Sequence, residues 1–232
     1  MVENEKVITA QEIRELFGLH SSFYKNLSSF LKKEAQNRNK KYQQKYSFWE
    51  SIFRKFYGGD ATHQLFLKQT YFSLVLKLFV LNRIQNKALE GLPFQEFDIY
   101  DWVELNPTLI YDFNEILADR EFNGEDLFHE LYQQVFIMIT RHKIGEFYTF
   151  PKLANKMVQY FYEYGSKILD PSCGSGTFLV EIVKTIFKTN KPLSSKIKAI
   201  EKIYGFDVNP LAVLSTKTNL FLLIMNETSS HI

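Results

Sequence analysis

The sequence has little of the material from which several common kinds of site are built. Its single cysteine excludes an intramolecular disulfide and a cysteine-rich metal centre. The five histidines are scattered, with no pair at the i, i+4 spacing of metal ligands, so we predict no metal site. The longest nearly apolar run, residues 71–81, contains Lys77 and is shorter than the roughly 18 apolar residues of a membrane span. The N-terminus also lacks an apolar signal core, and these absences together predict a cytoplasmic protein.

The composition is that of a globular protein. Apolar residues make up 45% of the chain and aromatic residues 16%, which is not a disordered composition. The length of 232 residues allows one large domain or two small ones. The formal net charge of +2 neither requires nor excludes a nucleic-acid partner, because binding faces depend on how the charges cluster.

Helical signals run almost throughout the first 140 residues and predict an N-terminal helical bundle. Capping boxes at Thr9–Glu12 and Ser47–Glu50 predict two helix starts, and the glycine pair 58–59 predicts the end of the second helix. Apolar residues on nearly every face of residues 61–86 predict a central helix, which Asp60 would cap. Further helices are predicted over residues 107–117 and 124–140.

Two stretches of this region allow more than one interpretation. Residues 32–45 hold six basic residues against one acid, with Tyr42 and Tyr46 interleaved, and could follow a phosphate backbone. A solvated helix face or a loop is the more common origin of such a run. Residues 91–107 are aromatic and acidic, so Trp102 and its neighbours could form a base-stacking platform. The acids in this stretch argue against that platform and favour packing in a core.

The most informative stretch is a predicted strand, turn and helix over residues 168–187. The strand ends at Asp170, and the turn contains Gly174 and Gly176, which would allow a ligand to approach the backbone closely. Leu179 stands where a dinucleotide fingerprint needs glycine or alanine, and the lysine of a phosphate-binding loop is absent. Asp170 would repel a phosphate but attract an ammonium or sulfonium group. S-adenosylmethionine has both cations and no phosphate, so the turn is predicted to bind it.

A second acid supports a nucleoside ligand. Residues 202–207 are predicted to form the next strand, with Asp207 at its carboxyl end, where open α/β sheets bind ligands. A carboxylate there can accept charge-assisted hydrogen bonds from both ribose hydroxyls. The following Val208 is placed to lie against the adenine. A last helix is predicted from Pro210, followed by a loose tail over residues 226–232.

Three motifs follow one another in the second half of the chain. Residues 145–151 are Gly-Glu-Phe-Tyr-Thr-Phe-Pro, residues 170–178 are Asp-Pro-Ser-Cys-Gly-Ser-Gly-Thr-Phe, and residues 205–213 are Gly-Phe-Asp-Val-Asn-Pro-Leu-Ala-Val. In this order they resemble motifs of the adenine-specific N6 DNA methyltransferases of restriction-modification systems, of type I and type IIG. Phe150 is an extra residue relative to that family, in which threonine and proline are usually adjacent.

The resemblance implies the first half of a Rossmann-like sheet that binds S-adenosylmethionine, over residues 141–232, after a helical region over residues 1–140. It also implies that Tyr148 and Thr149 lie near the methionine end of the cofactor. Independently of the resemblance, Thr149 is predicted to cap the helix that contains Pro151. The fold class is therefore predicted to be α plus partial α/β.

Cys173 lies inside the predicted cofactor turn and allows two interpretations. Cytosine-C5 methylating enzymes use a cysteine nucleophile, but that cysteine follows a proline in a later motif, whereas Cys173 follows Ser172. The simpler interpretation is a small residue that fills the turn. We therefore place Cys173 among the cofactor-binding residues and predict no catalytic residue in this chain.

The catalytic motif of the family, asparagine or aspartate followed by two prolines and an aromatic residue, is missing. The sequence contains no Pro-Pro dipeptide, and in the family this motif receives the hydrogens of the target amine and stacks on the flipped base. Two predicted parallel strands also make an incomplete sheet. We therefore expect the N-terminal part of a DNA adenine methyltransferase, from a restriction-modification or phage-defence system, that binds S-adenosylmethionine but is inactive alone. The complete enzyme would bind DNA, and a second polypeptide could complete the domain.

Two other functions stay open. The helical region could dock a partner subunit or DNA, as a non-catalytic module in which the cofactor half-site is vestigial. A methyltransferase that acts on RNA or protein could have a similar cofactor half, although the form of residues 170–178 disfavours it.

Overall fold

The structure is a computed structural model that describes residues 7–37, 40–84, 92–118, 120–122, 124–136 and 148–229. These residues form two compact units. The helical unit consists of the described residues of 10–120 and 129–136, and the sheet unit consists of those of 7–9, 121–128 and 148–229. The predicted domain boundary between residues 140 and 141 lies outside the described residues and stays a prediction.

Three helices of the helical unit begin at side-chain caps. Ser21, Thr62 and Asn106 each accept a hydrogen bond from the backbone N–H three residues further on, at 3.0, 3.2 and 2.8 Å. Pro107 takes the first helical position after Asn106, where its missing N–H leaves no partner unsatisfied. The helices are α1 (Ala10–Phe17), α2 (Ser22–Gln36), α3 (Lys40–Tyr57), α4 (His63–Arg83), α5 (Pro107–Ile116) and α6 (His129–Val135).

Helix α4 forms the core of this unit and is buried on nearly every face. Trp49 and Tyr100 donate hydrogen bonds to the side-chain oxygen of Gln69 at 2.5 and 3.0 Å, and Trp102 donates to Thr70 at 2.9 Å. These bonds satisfy polar groups that would otherwise be costly to bury. Of the helices that the structure describes, α4 alone is long and apolar enough to cross a membrane. Most of it is buried, as in a core helix, so it does not indicate a membrane protein.

The sequence predictions for this unit are confirmed for α1, α4, α5 and the end of α3 at the glycine pair 58–59, and they are wrong at three points. Ser47 lies inside α3, because helical structure already begins upstream of that capping signal. Thr62 caps α4 in place of Asp60. The helix predicted from Gly124 begins only at His129, since the residues between them belong to the sheet unit.

The structure shows how the aromatic residues of the two ambiguous stretches are packed, whereas contact of the basic residues with a phosphate backbone stays a prediction. Tyr42 is buried and shares a hydrogen bond of 2.7 Å with His63, while Tyr46 stacks on the same ring with 3.7 Å between the centroids. Both tyrosines therefore serve packing and do not present their rings to nucleic-acid bases. Trp102 is only 1% exposed, which confirms the packing interpretation for residues 92–107.

The sheet unit contains two pairs of short parallel strands in its described residues. Strand β1 (Val7–Ile8) pairs with β2 (Glu121–Phe122), a pair that the sequence does not predict. Strand β3 (Ile168–Asp170) pairs with β4 (Ile203–Gly205), as predicted. The helices are α7 (Pro151–Phe161), α8 (Thr177–Phe187), α9 (Leu193–Ile200) and α10 (Pro210–Ser229).

Helix α8 covers one face of the β3–β4 pair and packs against the other helices of the unit. One buried cluster joins α7, α8 and α9 with the strands and consists of Val158, Ile182, Ile186 and Ala199, with Ile168 and Ile203 against them. A second cluster joins α8 to α10 through Val180, Val183, Phe187 and Leu223. On the opposite face of the strands, Leu169 and Tyr204 face each other in the register and are 56% and 51% exposed.

The chain is thus mostly helical with small parallel sheets, which is compatible with a partial methyltransferase fold. The predicted loose tail is wrong for residues 226–229, because α10 continues through Ser229. The rest of that tail, residues 230–232, lies outside the described residues.

Candidate cofactor site

The turn between β3 and α8 depends on two glycines with positive φ. Gly174 has a φ of 54° and Gly176 a φ of 94°, in the left-handed region that residues with a Cβ avoid. A Cβ on Gly176 would come within 2.9 Å of the Thr216 side chain, so a side chain has no room there. A Cβ on Gly174 would meet no atom within 4 Å. The space beside Gly174 is therefore open to a ligand.

Asp207 joins the end of β4 to this turn. Its Oδ2 accepts a hydrogen bond from the N–H of Gly174 at 3.0 Å, and its Oδ1 accepts one from the N–H of Asn209 at 2.8 Å. The N–H of Phe206 donates to the carbonyl oxygen of Asp170 at 2.9 Å, which extends the pairing of the two strands toward the turn. The carboxylate is held in one orientation, and its remaining lone pairs can accept from a ligand.

Asp170 ends the neighbouring strand and stands beside Asp207. Its Oδ1 accepts a hydrogen bond from the N–H of Ser172 at 3.2 Å. Burial raises the pKa of Asp170 above its ordinary value, the Ser172 hydrogen bond opposes this rise, and the negative charge of Asp207 adds to it. The charged form of Asp170 is therefore disfavoured in the free protein, and an incoming cation would relieve that cost.

Cys173 is buried between the turn and β4. A Cβ on Gly205 would come within 3.2 Å of the Cβ of Cys173, so the glycine makes room for the cysteine. Burial raises the pKa of the Cys173 thiol to about 11, against a small lowering by the Thr216 hydrogen bond. A thiol with this pKa is protonated at neutral pH and is a poor nucleophile. The geometry thus favours the interpretation of Cys173 as a residue that fills the turn.

The remaining predicted site residues lie in the segments that follow β4 and precede α7. Val208 is 65% exposed and places apolar surface directly after Asp207. Tyr148 and Thr149 are partly buried and precede α7, which packs against α8. The cap of α7 is Phe150, without a side-chain hydrogen bond, so the predicted cap by Thr149 is wrong. The structure brings together in one hydrogen-bonded turn Asp170, Cys173, Gly174, Gly176 and Asp207.

The sequence analysis missed side chains that hold this turn from other parts of the sheet unit. Asp126 accepts hydrogen bonds from the hydroxyls of Ser175 and Thr177. Asn219 of α10 donates to the carbonyl oxygen of Ser175 at 3.0 Å. Asn219 could have been found from the sequence, because it is a polar residue on the buried side of an otherwise apolar helix. Asp126 gave no such signal, because it lies in a run whose apolar spacing indicated a helix.

The arrangement suits a ligand that carries both a cation and a pair of hydroxyls. The carboxylates of Asp170 and Asp207, at the ends of neighbouring strands, can accept hydrogen bonds from an ammonium group and a diol. Gly174, which borders open space, lies between these two residues in the sequence. S-adenosylmethionine has these groups, so the residues present fit it. Within the part of the chain that the structure describes, no three His, Cys, Asp or Glu side chains are grouped to hold a metal ion.

Comparison with known proteins shows what the region around this site is similar to. The family model of the N-6 DNA Methylases matches residues 123–232, a range that includes Asp126 and the whole of the turn. The resemblance to adenine-specific DNA methyltransferases of restriction-modification systems, predicted from the three motifs, is thereby confirmed.

Two relatives have names that agree with this class. The chain is 31% identical over 117 residues to the type I restriction enzyme MjaIX methylase subunit of Methanocaldococcus jannaschii, which covers 49% of this chain and 20% of that protein. It is 29% identical over 142 residues to the type II methyltransferase M.VspI of a Vibrio species, which covers 60% of this chain and 29% of that protein. The chain thus spans less than a third of the length of either relative. No solved structure matches it.

Proposed function

We propose that the sheet unit is the first half of a Rossmann-like methyltransferase domain that binds S-adenosylmethionine, in a DNA adenine-N6 methyltransferase of a restriction-modification or related phage-defence system. The observation that carries this proposal is the pairing of two oriented carboxylates, Asp170 and Asp207, across an open glycine turn. The family match and the names of the relatives support the substrate class. The domain would correspond to residues 141–232 together with segments 7–9 and 121–128, and the rest of residues 1–140 would form a helical domain.

Each site residue has a distinct role in this proposal. Asp170 binds the ammonium of the methionine moiety, and Asp207 accepts from the ribose hydroxyls. The backbone around Gly174 and Gly176 allows the ligand close approach, and Val208 covers the adenine. Cys173 fills the turn. Tyr148 and Thr149 are proposed to lie near the methionine end.

The proposed chemistry needs groups that this chain does not supply. S-adenosylmethionine supplies a methyl group on a sulfonium, and its transfer to the exocyclic amine of adenine breaks the S–C bond, forms an N–C bond and releases a proton. The sequence has no Pro-Pro dipeptide, so the motif that would hold the amine and the flipped base is not in this chain. We propose that the chain alone binds the cofactor, and that methylation of DNA requires the complete enzyme in the cytoplasm.

The uncovered sheet face supports a second polypeptide or a further segment as part of that enzyme. Leu169 and Tyr204 are half-exposed on the side of the strands away from α8, and Tyr160 and Phe161 of α7 are 83% and 72% exposed. Leu169 and Tyr204, which face each other across the two strands, form an exposed apolar pair, and exposed apolar surface is typical of interaction sites. The same surface favours a second candidate function, a non-catalytic docking module with a vestigial half-site, and cofactor binding distinguishes the two.

The decisive experiment is a thermal-shift titration with S-adenosylmethionine and S-adenosylhomocysteine, checked by calorimetry. Saturation at 100 times the dissociation constant should stabilise the chain by about 2.7 kcal/mol, which is roughly 5–10 °C for a protein of this size. Asp207→Asn should abolish the shift. Glu201→Gln, which removes the same charge from an exposed position of the same unit, should retain it.

Either outcome of this titration is informative. A shift that only the Asp207 variant loses supports the cofactor site. Absence of any shift in the parent chain at millimolar ligand contradicts the proposal and leaves the docking module as the better function.

A further inference from the structure

A buried carboxylate lies next to the cofactor turn and takes no part in the ligand contacts proposed above. Asp126 is only 3% exposed. Its Oδ2 accepts hydrogen bonds from the hydroxyl of Ser175 and, at 2.8 Å, from the hydroxyl of Thr177. Its Oδ1 accepts from the side-chain amide of Asn219 at 2.8 Å. Three donors from two other segments of the sheet unit therefore converge on one carboxylate.

Burying a carboxylate is costly unless its oxygens are well hydrogen-bonded. These donors are neutral hydroxyl and amide groups, and hydrogen bonds to a charged acceptor are stronger than those between neutral groups. The bonds compensate the burial of Asp126 and at the same time fix the groups that donate them. Ser175 and Thr177 stand on either side of Gly176, so both flanks of the left-handed glycine are held.

Asn219 extends the same network to the backbone. Its amide also donates to the carbonyl oxygen of Ser175 at 3.0 Å, and its Oδ1 accepts from the N–H of Leu127 at 3.1 Å. A small set of buried polar groups thus joins segment 124–128, the turn and α10. Such networks specify one arrangement when their members are satisfied.

We infer that Asp126 is a positioning residue, which holds Ser175, Gly176 and Thr177 so that the N–H of Gly174 and the carboxylate of Asp207 keep the orientation needed to bind the cofactor. This inference rests on the proposed function for its consequence, and on the hydrogen bonds alone for the order of the turn. If the turn already has its bound geometry before the ligand arrives, less binding free energy is lost in ordering it. The affinity for the ligand is then higher.

The chain offers a matched control for this network. Asn226 of α10 donates to the carbonyl oxygen of Phe122 at 2.8 Å and so also joins α10 to the segment that carries Asp126. The structure shows this bond at β2, away from the turn. Loss of Asn226 tests the effect of loosening the segment, whereas loss of Asp126 tests the effect of releasing the turn.

The experiment combines hydrogen–deuterium exchange of the ligand-free chain with calorimetric titration of S-adenosylmethionine. In Asp126→Asn and Asp126→Ala, amides of residues 172–180 should exchange about tenfold faster or more, and cofactor affinity should fall about tenfold or more, because hydrogen bonds to a charged group are lost. Exchange in α9 should not change. In Asn226→Ala, both the turn exchange and the affinity should stay within about threefold of the parent chain.

The outcomes separate this inference from the proposed function. Unchanged exchange of the turn in Asp126→Asn overturns the inference, and so does a weaker affinity without faster exchange. Faster exchange in every peptide would show a general structural role and would also overturn it. If Asp126→Ala does not fold, Ser175→Ala replaces it, with a smaller effect in the same peptide expected. If the turn exchanges faster as expected but the parent chain binds no cofactor, the inference stands and the proposed function fails.

Discussion

At the scale of single residues, Asp170 combines a cost to the free protein with the binding role proposed above. Its carboxylate is partly buried and lies beside the charge of Asp207, and both effects raise its pKa. A folded-state pKa above the unfolded value means that the folded chain holds this proton more tightly. The contribution of Asp170 to the stability of the free chain should therefore fall as pH rises from the ordinary value of 3.8 through the raised pKa, and the full cost should remain at higher pH.

Replacement of Asp170 tests this combination directly. Asp170→Asn keeps a carbonyl oxygen that can accept from Ser172 but removes the charge, so the ligand-free variant should melt at a higher temperature than the parent chain at neutral pH. Its affinity for S-adenosylmethionine should fall about tenfold or more, because a charged partner of the ammonium is lost. Melting temperatures across pH and calorimetric titrations give the two quantities.

The control for this prediction is Glu163→Gln, an exposed acid of the same unit, which should change neither quantity appreciably. A variant that melts like the parent chain at every pH would show that Asp170 carries no such cost.

At the scale of structural elements, the turn from β3 into α8 uses its two glycines for different purposes. Both have positive φ, but Gly176 is closely surrounded and Gly174 borders open space. Gly174 therefore leaves the space that the proposed ligand would use, whereas Gly176 allows Thr216 of α10 to pack closely. One turn thus meets a requirement of binding and a requirement of folding at positions two residues apart.

The two alanine variants should separate these requirements. Gly176→Ala adds a steric clash with Thr216 to the cost of a left-handed alanine, roughly 1–3 kcal/mol and 1–2 kcal/mol respectively, and should strongly lower the free energy of unfolding. Gly174→Ala carries only the backbone cost, but its methyl group occupies the space that the ligand needs. It should lose more in cofactor affinity than in stability, as measured by urea unfolding and calorimetry. Equal losses of stability in both variants would contradict this division.

At the scale of the whole molecule, the two compact units do not follow the order of the chain. Segment 121–128 lies before α6 in sequence but belongs to the sheet unit, where it supplies β2 and Asp126. A boundary placed at residue 141 from sequence motifs alone would separate the turn from its buried acid. The start of the family match at residue 123 agrees with the structural grouping.

The chain alone should not methylate DNA. With tritiated S-adenosylmethionine and adenine-containing duplex DNA, we expect no transfer above background, because the sequence lacks the motif that holds the target amine. Addition of a polypeptide that carries an Asn-Pro-Pro-aromatic motif and pairs with this sheet should restore transfer. Methylation of adenine by the purified chain without such a partner would refute the expectation.

How far the sequence predicted the site depends on the distance between interacting residues. Asp170, Gly174, Gly176 and their helix lie in one short stretch, so local turn and helix signals were enough to place them, and Asp207 followed from the end of the next strand. The bond between Asp126 and the turn joins residues 49 apart in the chain, and no local pattern reports it. The helix start predicted at Ser47 was wrong for the opposite reason. A good local capping signal was overridden by the longer helix that contains it.

The network around Asp126 also sets an order in which the chain can acquire its structure during synthesis. Asp126 leaves the ribosome 93 residues before Asn219, the donor to its Oδ1, and well before Ser175 and Thr177. Helices α2 to α5 can meet one another much earlier, because all of them precede Asp126 in the chain. The nascent segment around Asp126 must therefore remain hydrated until α10 has emerged. The turn proposed to hold the cofactor is then among the last parts of the chain to complete its hydrogen bonds.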